Sequence, residues 1–157
     1  MTDLAIVWKD GSGDIAQDGI DMLTDNSLTT EVVISLFTDR RAQDSDELPG
    51  NDGDRRGWWG DSYRSRPIGS RLWLLSREKT LPSVLERATD YALEALQWLK
   101  DAGRVTRIAV GASQPVSGTL QLDIALTLPD GSVEPFTFKT EFKRGFKCHI
   151  TRRDCLT

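Results

Sequence analysis

The apolar positions of the chain follow two different periods, and each period predicts a different kind of element. After Pro82 and Ser83, apolar side chains recur every three or four residues at Val84, Ala88, Tyr91, Ala95 and Trp98. This spacing places them on one face of a long helix, with Tyr91 and Trp98 as ordinary core residues. Ser83 and Glu86 form a capping-box pattern at its start, and Gly103 predicts its end.

The N-terminal half gives weaker signals. Residues 4–8 form a short apolar run followed by a glycine-rich turn, which predicts a strand, whereas residues 14–25 have no period and are expected to be irregular. Apolar residues at a spacing of four predict a shorter helix over 28–40, although its β-branched content also fits a strand. The apolar run 72–75 is interpreted as a strand or a packed turn.

Two strands are expected near the C-terminal end. The first covers residues 105–110, and the second covers residues 118–128, where apolar and polar side chains alternate strictly, as a half-buried strand requires. A Pro-Asp-Gly-Ser turn at 129–132 then predicts a hairpin with a second strand over 133–142.

That second strand places Phe136 and Phe138 on one face. Pro135 cannot donate a ladder hydrogen bond, so the strand is expected at a sheet edge. Unpaired backbone groups at an edge can accept a strand from another chain, which is β-augmentation.

These elements predict the α+β class: a small, mainly antiparallel sheet packed against one long helix, with a shorter N-terminal helix and an aromatic-rich loop. With 157 residues and 38% apolar content, the chain fits one domain. We expect that domain over residues 1–142, followed by a basic tail at 143–157 that is flexible or ordered by a partner.

Residues 43–56 are rich in Asp, Gly and Pro and predict a solvated loop. Asp44 and Asp46 begin a calcium-loop pattern, but Leu48 and Pro49 break it, so no metal is expected there.

Few residues offer catalytic or cofactor chemistry. Cys148, His149 and Cys155 are too few for a zinc site made of Cys and His alone, and free thiols are expected. The single histidine has no evident carboxylate partner for a hydrolytic triad, and no phosphate-binding glycine motif is complete. We therefore expect no enzyme, no cofactor and no metal, although a lysozyme-like enzyme using a carboxylate stays as a third alternative.

No run approaches the roughly 18 apolar residues of a membrane span, and the acidic N-terminus lacks a secretory pattern. The expectation is a soluble protein that is intracellular when made.

Charge is unevenly distributed in a chain of net charge −4. Residues 1–54 hold thirteen acidic residues against three cations, whereas residues 55–79 hold seven cations against two acids. The alternation fits docking onto a complementary partner or self-assembly, and equally fits neutralisation within one fold.

Residues 55–79, here called the aromatic segment, contain three of the five tryptophans. Gly57, Gly60 and Gly69 between these aromatics predict a folded loop with sharp turns. Interleaved arginines and aromatic rings fit a nucleic-acid stacking platform, but protein interfaces favour the same residue types. Because the net charge is negative, we favour protein contact and keep a nucleic-acid-binding module as the alternative.

Four sequence features together resemble the Mu-type phage tail baseplate family. They are SLTTEVVISLFTDRRA, GWWGDSYRSRPIGSRLWLLSREK, ERATDYALEALQWLKDAGRV and the strand pair that ends in TLPDGSVEPFTF. The resemblance covers residues 1–142, and the tryptophan-rich block is its most specific part. It implies a structural protein of a contractile tail, similar to sheath initiators or wedge proteins.

The resemblance further implies partners and a location. These are the tail sheath protein, baseplate wedge and tube proteins, six copies around the tail, and a virion baseplate assembled in the host cytoplasm. The broader initiator group has a Glu-Pro-Arg motif after the long helix, of which this chain retains only Arg104. The residues expected to contact partner proteins are Trp58, Trp59, Tyr63, Arg64, Arg66, Arg71, Trp73, Arg104, Phe136 and Phe138.

Overall fold

The computed structural model describes residues 3–9, 12–18, 21–22, 24–25, 28–50, 53–78, 82–141 and 148–150. Short antiparallel strands occupy the described N-terminal residues: β1 (Asp3–Leu4), β2 (Ile6–Lys9), β3 (Ser12–Ile15), β4 (Gln17–Asp18), β5 (Asp21–Met22) and β6 (Thr24–Asp25). β2 pairs with β3, β4 with β5, and β1 with β6.

The strand predicted at residues 4–8 is confirmed as β1 and β2, with a break at Ala5. The irregular structure expected over 14–25 is wrong for its described residues, which lie mainly in strands. Two-residue strands are too short to show an alternating pattern, so periodicity could not reveal them.

Helix α1 (Thr29–Phe37) confirms the shorter helix but ends before residue 40. Beyond it, the chain pairs with Ser70 instead: the Ser70 N–H donates to the Thr38 carbonyl at 2.9 Å, and the Arg40 N–H donates to the Ser70 carbonyl at 3.0 Å. These tertiary hydrogen bonds replace the last helical turn. The buried face of α1 carries Val32, Val33 and Leu36.

Helix α2 (Pro82–Asp101) is the predicted long helix. It begins at Pro82, so Ser83 lies inside the first turn and is not the N-cap that the capping-box prediction required. Its end matches the prediction. Gly103 has φ +69°, and the N–H groups of Gly103 and Arg104 donate to the carbonyls of Lys100 and Leu99, which is a Schellman motif.

The main sheet consists of β7 (Arg107–Ser113), β8 (Thr119–Thr127), β9 (Val133–Glu141) and β10 (Cys148–Ile150), all antiparallel, in the order β10-β9-β8-β7. Helix α2 packs against this sheet, mainly at β7. The α+β class is therefore confirmed, with the inward residues of β8 forming the centre of the core. Those residues are Leu120, Leu122, Ile124 and Leu126.

The edge position predicted for β9 is only partly correct. β10 pairs with its outer side at Phe138, Lys139 and Thr140, so the prediction is wrong over these residues. Residues 133–137 of β9, and the outer side of β7, have no further strand among the described residues. β10 belongs to the segment expected to be a basic tail, while residue 142 and Cys155 lie outside the described residues.

The described part of the acidic loop 43–56 has no helix or strand, as predicted. It is less solvated than expected, because the Asp46 side chain is only 11% exposed and Leu48 packs against the buried Trp73 and Leu74.

Candidate functional site

Two glycines mark the ends of a loop, residues 57–69, within the aromatic segment. Gly57 (φ +104°) lies against Arg41, and Gly69 (φ +92°) lies against the Thr38 carbonyl so closely that a Cβ atom would overlap it. Both glycines have backbone angles that other residues rarely adopt, so these positions require glycine. The intervening loop is therefore clamped at both ends to the chain that follows α1.

Within this loop, residues Trp59–Tyr63 form a short 3-10 helix. The ring of Trp58 covers Gly60, where a Cβ atom would overlap the indole. Trp58 is thus half-buried, whereas Trp59 and Tyr63 are 78% and 85% exposed. We call Trp59 and Tyr63 the exposed aromatic pair.

The exposed aromatic pair is held in place by ring and backbone contacts. The centre of the Trp59 ring lies 5.5 Å from that of the Trp58 ring and 6.5 Å from that of the Tyr63 ring. The rings of Trp59 and Tyr63 meet edge to face. Asp61 Oδ1 accepts the Ile68 N–H at 3.0 Å, which closes the loop across its width. Large rings on an ordered backbone lose little conformational entropy when they bind a partner.

Arg64 and Arg66 lie next to this pair in sequence and are exposed. Each guanidinium covers an indole: Arg64 lies 5.1 Å from the Trp58 ring centre, and Arg66 lies 4.4 Å from that of Trp98. Partial burial, followed by the nearby charges of Arg64 and Arg40, lowers the pKa of Arg66. The two side chains therefore contribute to one region of positive charge.

Arg71 has the opposite environment. Its guanidinium donates to Glu94 at 2.8 and 3.0 Å and to Asp46 at 3.0 and 3.1 Å, and lies 4.6 Å from the centre of the Tyr91 ring. Burial lowers the pKa of Arg71, but hydrogen bonds to Glu94 and Asp46 outweigh that effect and raise it overall. Arg71 joins the acidic loop to α2 and is not free for a partner.

Trp73 lies in the second 3-10 helix, Leu72–Leu75, all four residues of which are buried. Its indole N–H donates to the Arg40 carbonyl at 2.8 Å, and Arg56 covers the ring at 4.5 Å. The apolar run predicted as a strand or a packed turn is this helix, and Trp73 belongs to the core.

Three other expected contact residues also have intramolecular roles. Phe138 is fully buried and packs edge to face against Phe37 at 5.2 Å, and the buried Phe136 stacks on Phe138. Arg104 forms an ion pair with Glu31 at 3.0 Å. We therefore do not retain Phe136, Phe138, Trp73 or Arg71 as surface contacts.

Sequence reasoning missed the pairing of specific charges. Arg55 contacts Asp44 at 3.0 Å, Arg56 contacts Asp39 at 2.7 Å, and Arg71 contacts Asp46. The acidic N-terminal third thus neutralises part of the aromatic segment within one fold, which was one of the two alternatives. The uneven distribution of acidic and basic residues along the sequence was the available signal, but it could not identify which arginine pairs with which aspartate.

The described residues include no group of three or more His, Cys, Asp or Glu side chains arranged to hold a metal ion. Within the same residues, no helix combines the length and apolar character needed to cross a bilayer.

These features define an α+β protein that presents a rigid, aromatic and basic loop to its surroundings. The chain belongs to the phage protein GP46 family, whose model matches residues 28–133. Together with the two relatives described next, this match confirms the predicted Mu-type tail baseplate family.

Two relatives are similar over nearly their whole length. The chain is 72% identical over 142 residues to the baseplate protein gp46 of Escherichia phage Mu, covering 90% of this chain and 98% of the relative. It is 45% identical over 143 residues to the Mu-like prophage FluMu protein gp46 of Haemophilus influenzae, with the same coverage.

Proposed function

We propose that this chain is a structural, non-enzymatic component of a contractile tail baseplate, and that it binds a neighbouring virion protein through the exposed aromatic pair. The baseplate role rests on the similarity to the Mu relative, whose name gives that role. The observation that carries the binding role is the 78% exposure of Trp59 on a loop clamped by Gly57 and Gly69.

A few side chains are expected to contribute most of the binding free energy of such a contact. Trp, Tyr and Arg are the side chains most enriched at interface hot spots, where one truncation costs about 2 kcal/mol or more. Within the aromatic segment, the expected contact residues that are exposed are Trp59, Tyr63, Arg64 and Arg66. Trp58 acts beneath them as a support, because its ring fills the space over Gly60.

The resemblance suggests which proteins are bound. Wedge or tube proteins contact the aromatic segment, and the tail sheath protein adds a strand to the main sheet, which starts the sheath lattice. For the second contact, the outer side of β7 and residues 133–137 of β9 offer backbone groups without a described strand partner. Six copies surround the tail, and assembly takes place in the host cytoplasm.

Removal of the exposed aromatic pair tests the proposed contact between the aromatic segment and a wedge or tube protein. The double variant Trp59→Ala/Tyr63→Ala is expected to fold normally but to reduce the yield of complete baseplates at least about tenfold, given hot-spot losses of about 2 kcal/mol or more. Val116→Ala is the matched control, because this apolar side chain is 66% exposed on a different loop. Normal baseplate yield with the double variant would refute the contact.

Hydrogen exchange tests the proposed addition of a strand from the tail sheath protein to the main sheet. Backbone amides on the outer side of β7 should exchange rapidly in the isolated chain and slowly in assembled tails, because a ladder partner protects them. Amides of β8, already paired on both sides, provide the internal control. Equal exchange of β7 and residues 133–137 in both states would rule out strand addition at these edges.

A further inference from the structure

The arginines of residues 55–71 fall into two groups. Arg55, Arg56 and Arg71 each contact a carboxylate within 3.0 Å. Arg64 and Arg66 contact no acidic side chain at ion-pair distance among the residues that the structure describes, although both are exposed. The arginines at the base of the aromatic segment are therefore neutralised, whereas the two that follow the exposed aromatic pair have no described ion-pair partner.

Stacking orients these two free guanidiniums. A guanidinium that covers an aromatic face is held by cation–π attraction, which leaves the N–H groups at its edge available as donors. Trp98 is itself fixed, since its indole N–H donates to Ser35 Oγ at 2.9 Å. Arg66 is thus pre-organised to bind a planar, two-oxygen acceptor.

The surroundings of Arg66 are mixed in charge but leave it unneutralised. It lines a groove of about 350 Å³ with Arg40, Glu94, Trp98 and Asp101. Glu94 already forms ion pairs with Arg40 and Arg71, and Asp101 accepts a hydrogen bond from Gln97 at 3.2 Å. Partial burial is the main cause of the lowered pKa of Arg66, and the charges of Arg64 and Arg40 lower it further, against the single opposing effect of Asp101.

We propose that Arg64 and Arg66 form a carboxylate-binding pair, and that the protein docked on this loop contributes an acidic segment whose apolar side chains cover Trp59 and Tyr63. This inference rests on the proposed function and identifies the chemistry of its partner. Charge complementarity favours a protein over a nucleic acid: the free positive charge here amounts to two side chains within a chain of net charge −4, whereas nucleic-acid affinity depends on many phosphate contacts.

The test uses the full chain and a short capped peptide with a central Leu-Phe pair flanked by Asp and Glu. NMR would follow the Arg Nε–H signals and the indole N–H signals during titration. We expect selective shifts at Arg64, Arg66 and Trp59, with a Kd of about 1 mM or tighter that weakens at high salt. Arg64→Gln/Arg66→Gln should weaken binding about tenfold, in keeping with two exposed charge pairs.

Two controls make the titration decisive. A peptide with Asn and Gln in place of Asp and Glu should bind at least about fivefold more weakly. Arg77→Gln should have no effect, since Arg77 is exposed but lies in a different groove, beside Glu47, Leu48 and Ser83. Equal binding of both peptides, or no shift with either, would overturn the inference. Tighter binding of single-stranded DNA, abolished by Arg64→Gln/Arg66→Gln, would assign the site to nucleic acid instead.

The inference and the proposed function can fail separately. If baseplate yield requires Trp59 and Tyr63 but is unchanged by Arg64→Gln/Arg66→Gln, the loop docks on a partner without recognising carboxylates. If yield is unchanged by every one of these variants while the acidic peptide still binds, the carboxylate-binding chemistry stands and the docking role of the loop is refuted.

Discussion

The two 3-10 helices of the aromatic segment are built from similar residues and have opposite environments. Trp59–Tyr63 and Leu72–Leu75 each contain a tryptophan. An arginine covers the ring of Trp58, just before the first helix, and another covers the ring of Trp73, within the second. In the first helix, Trp59 is 78% exposed, whereas Trp73 in the second is 3% exposed. Composition therefore does not distinguish a residue that holds the fold from one that is available to a partner.

The difference arises from what surrounds each helix. Leu72–Leu75 packs against α2, and the Trp73 indole N–H reaches a carbonyl of the chain that follows α1. Trp59–Tyr63 packs on the ring of Trp58 and is joined to Ile68 by one hydrogen bond from the Ile68 N–H to Asp61. A buried indole contributes to stability through packing and one satisfied hydrogen bond, while an exposed one contributes little until a partner covers it.

The largest expected difference between the two helices is in stability. Trp73→Ala should lower the free energy of unfolding by about 3 to 5 kcal/mol, because it removes a buried indole and leaves a cavity. Urea denaturation followed by circular dichroism would measure this loss. A loss below about 1 kcal/mol would mean that Trp73 is not part of the core, and the contrast would fail.

The arginines provide a second, smaller contrast. Arg71→Ala leaves Asp46 and Glu94 without their shared cation and should cost about 2 kcal/mol, less than a fully buried pair because Glu94 is 31% exposed. The matched variant Arg66→Ala removes a guanidinium that also covers a ring but has no described carboxylate, and should cost less than about 1 kcal/mol. Equal losses in urea denaturation would contradict the division into structural and free arginines.

Gly60→Ala would sharpen the comparison at the base of the exposed helix. The added methyl group overlaps the Trp58 ring, so that ring must move, at a cost of about 1 to 3 kcal/mol. Gly111→Ala is the control, since a Cβ there meets only the Asp123 carbonyl at 4.0 Å. Thermal melting of both variants would compare them, and a silent Gly60→Ala would show that Trp58 does not support the loop.

The smallest expected effect concerns the exposed aromatic pair itself. Trp59→Ala should change the free energy of unfolding by no more than about 0.5 kcal/mol, as is usual for exposed positions. The same urea denaturation series would measure it. A loss comparable with that of Trp73→Ala would show that Trp59 stabilises the isolated fold.

The long regular elements of this fold could be predicted from sequence, whereas the short strands β4, β5, β6 and β10 and the position of each tryptophan could not. α2 and the β8–β9 hairpin produce long periodic patterns that local sequence reveals. Whether Trp59 or Trp73 is buried depends on contacts with residues far away in the chain, such as Arg40 and the residues of α2. The pairing of Arg71 with Asp46 and Glu94 also depends on such distant contacts. The partial covering of β9 by β10 is likewise a long-range contact.

The central claim is that one half of the aromatic segment holds the fold while the other half binds a neighbouring virion protein. Hydroxyl-radical footprinting of the isolated chain and of assembled tails tests it directly, because oxidation of an indole requires solvent access. We predict that Trp59 reacts rapidly in the isolated chain and falls to the low reactivity of Trp73 in tails, while Trp73 is unreactive in both. Equally rapid oxidation of Trp59 in assembled tails would contradict the account.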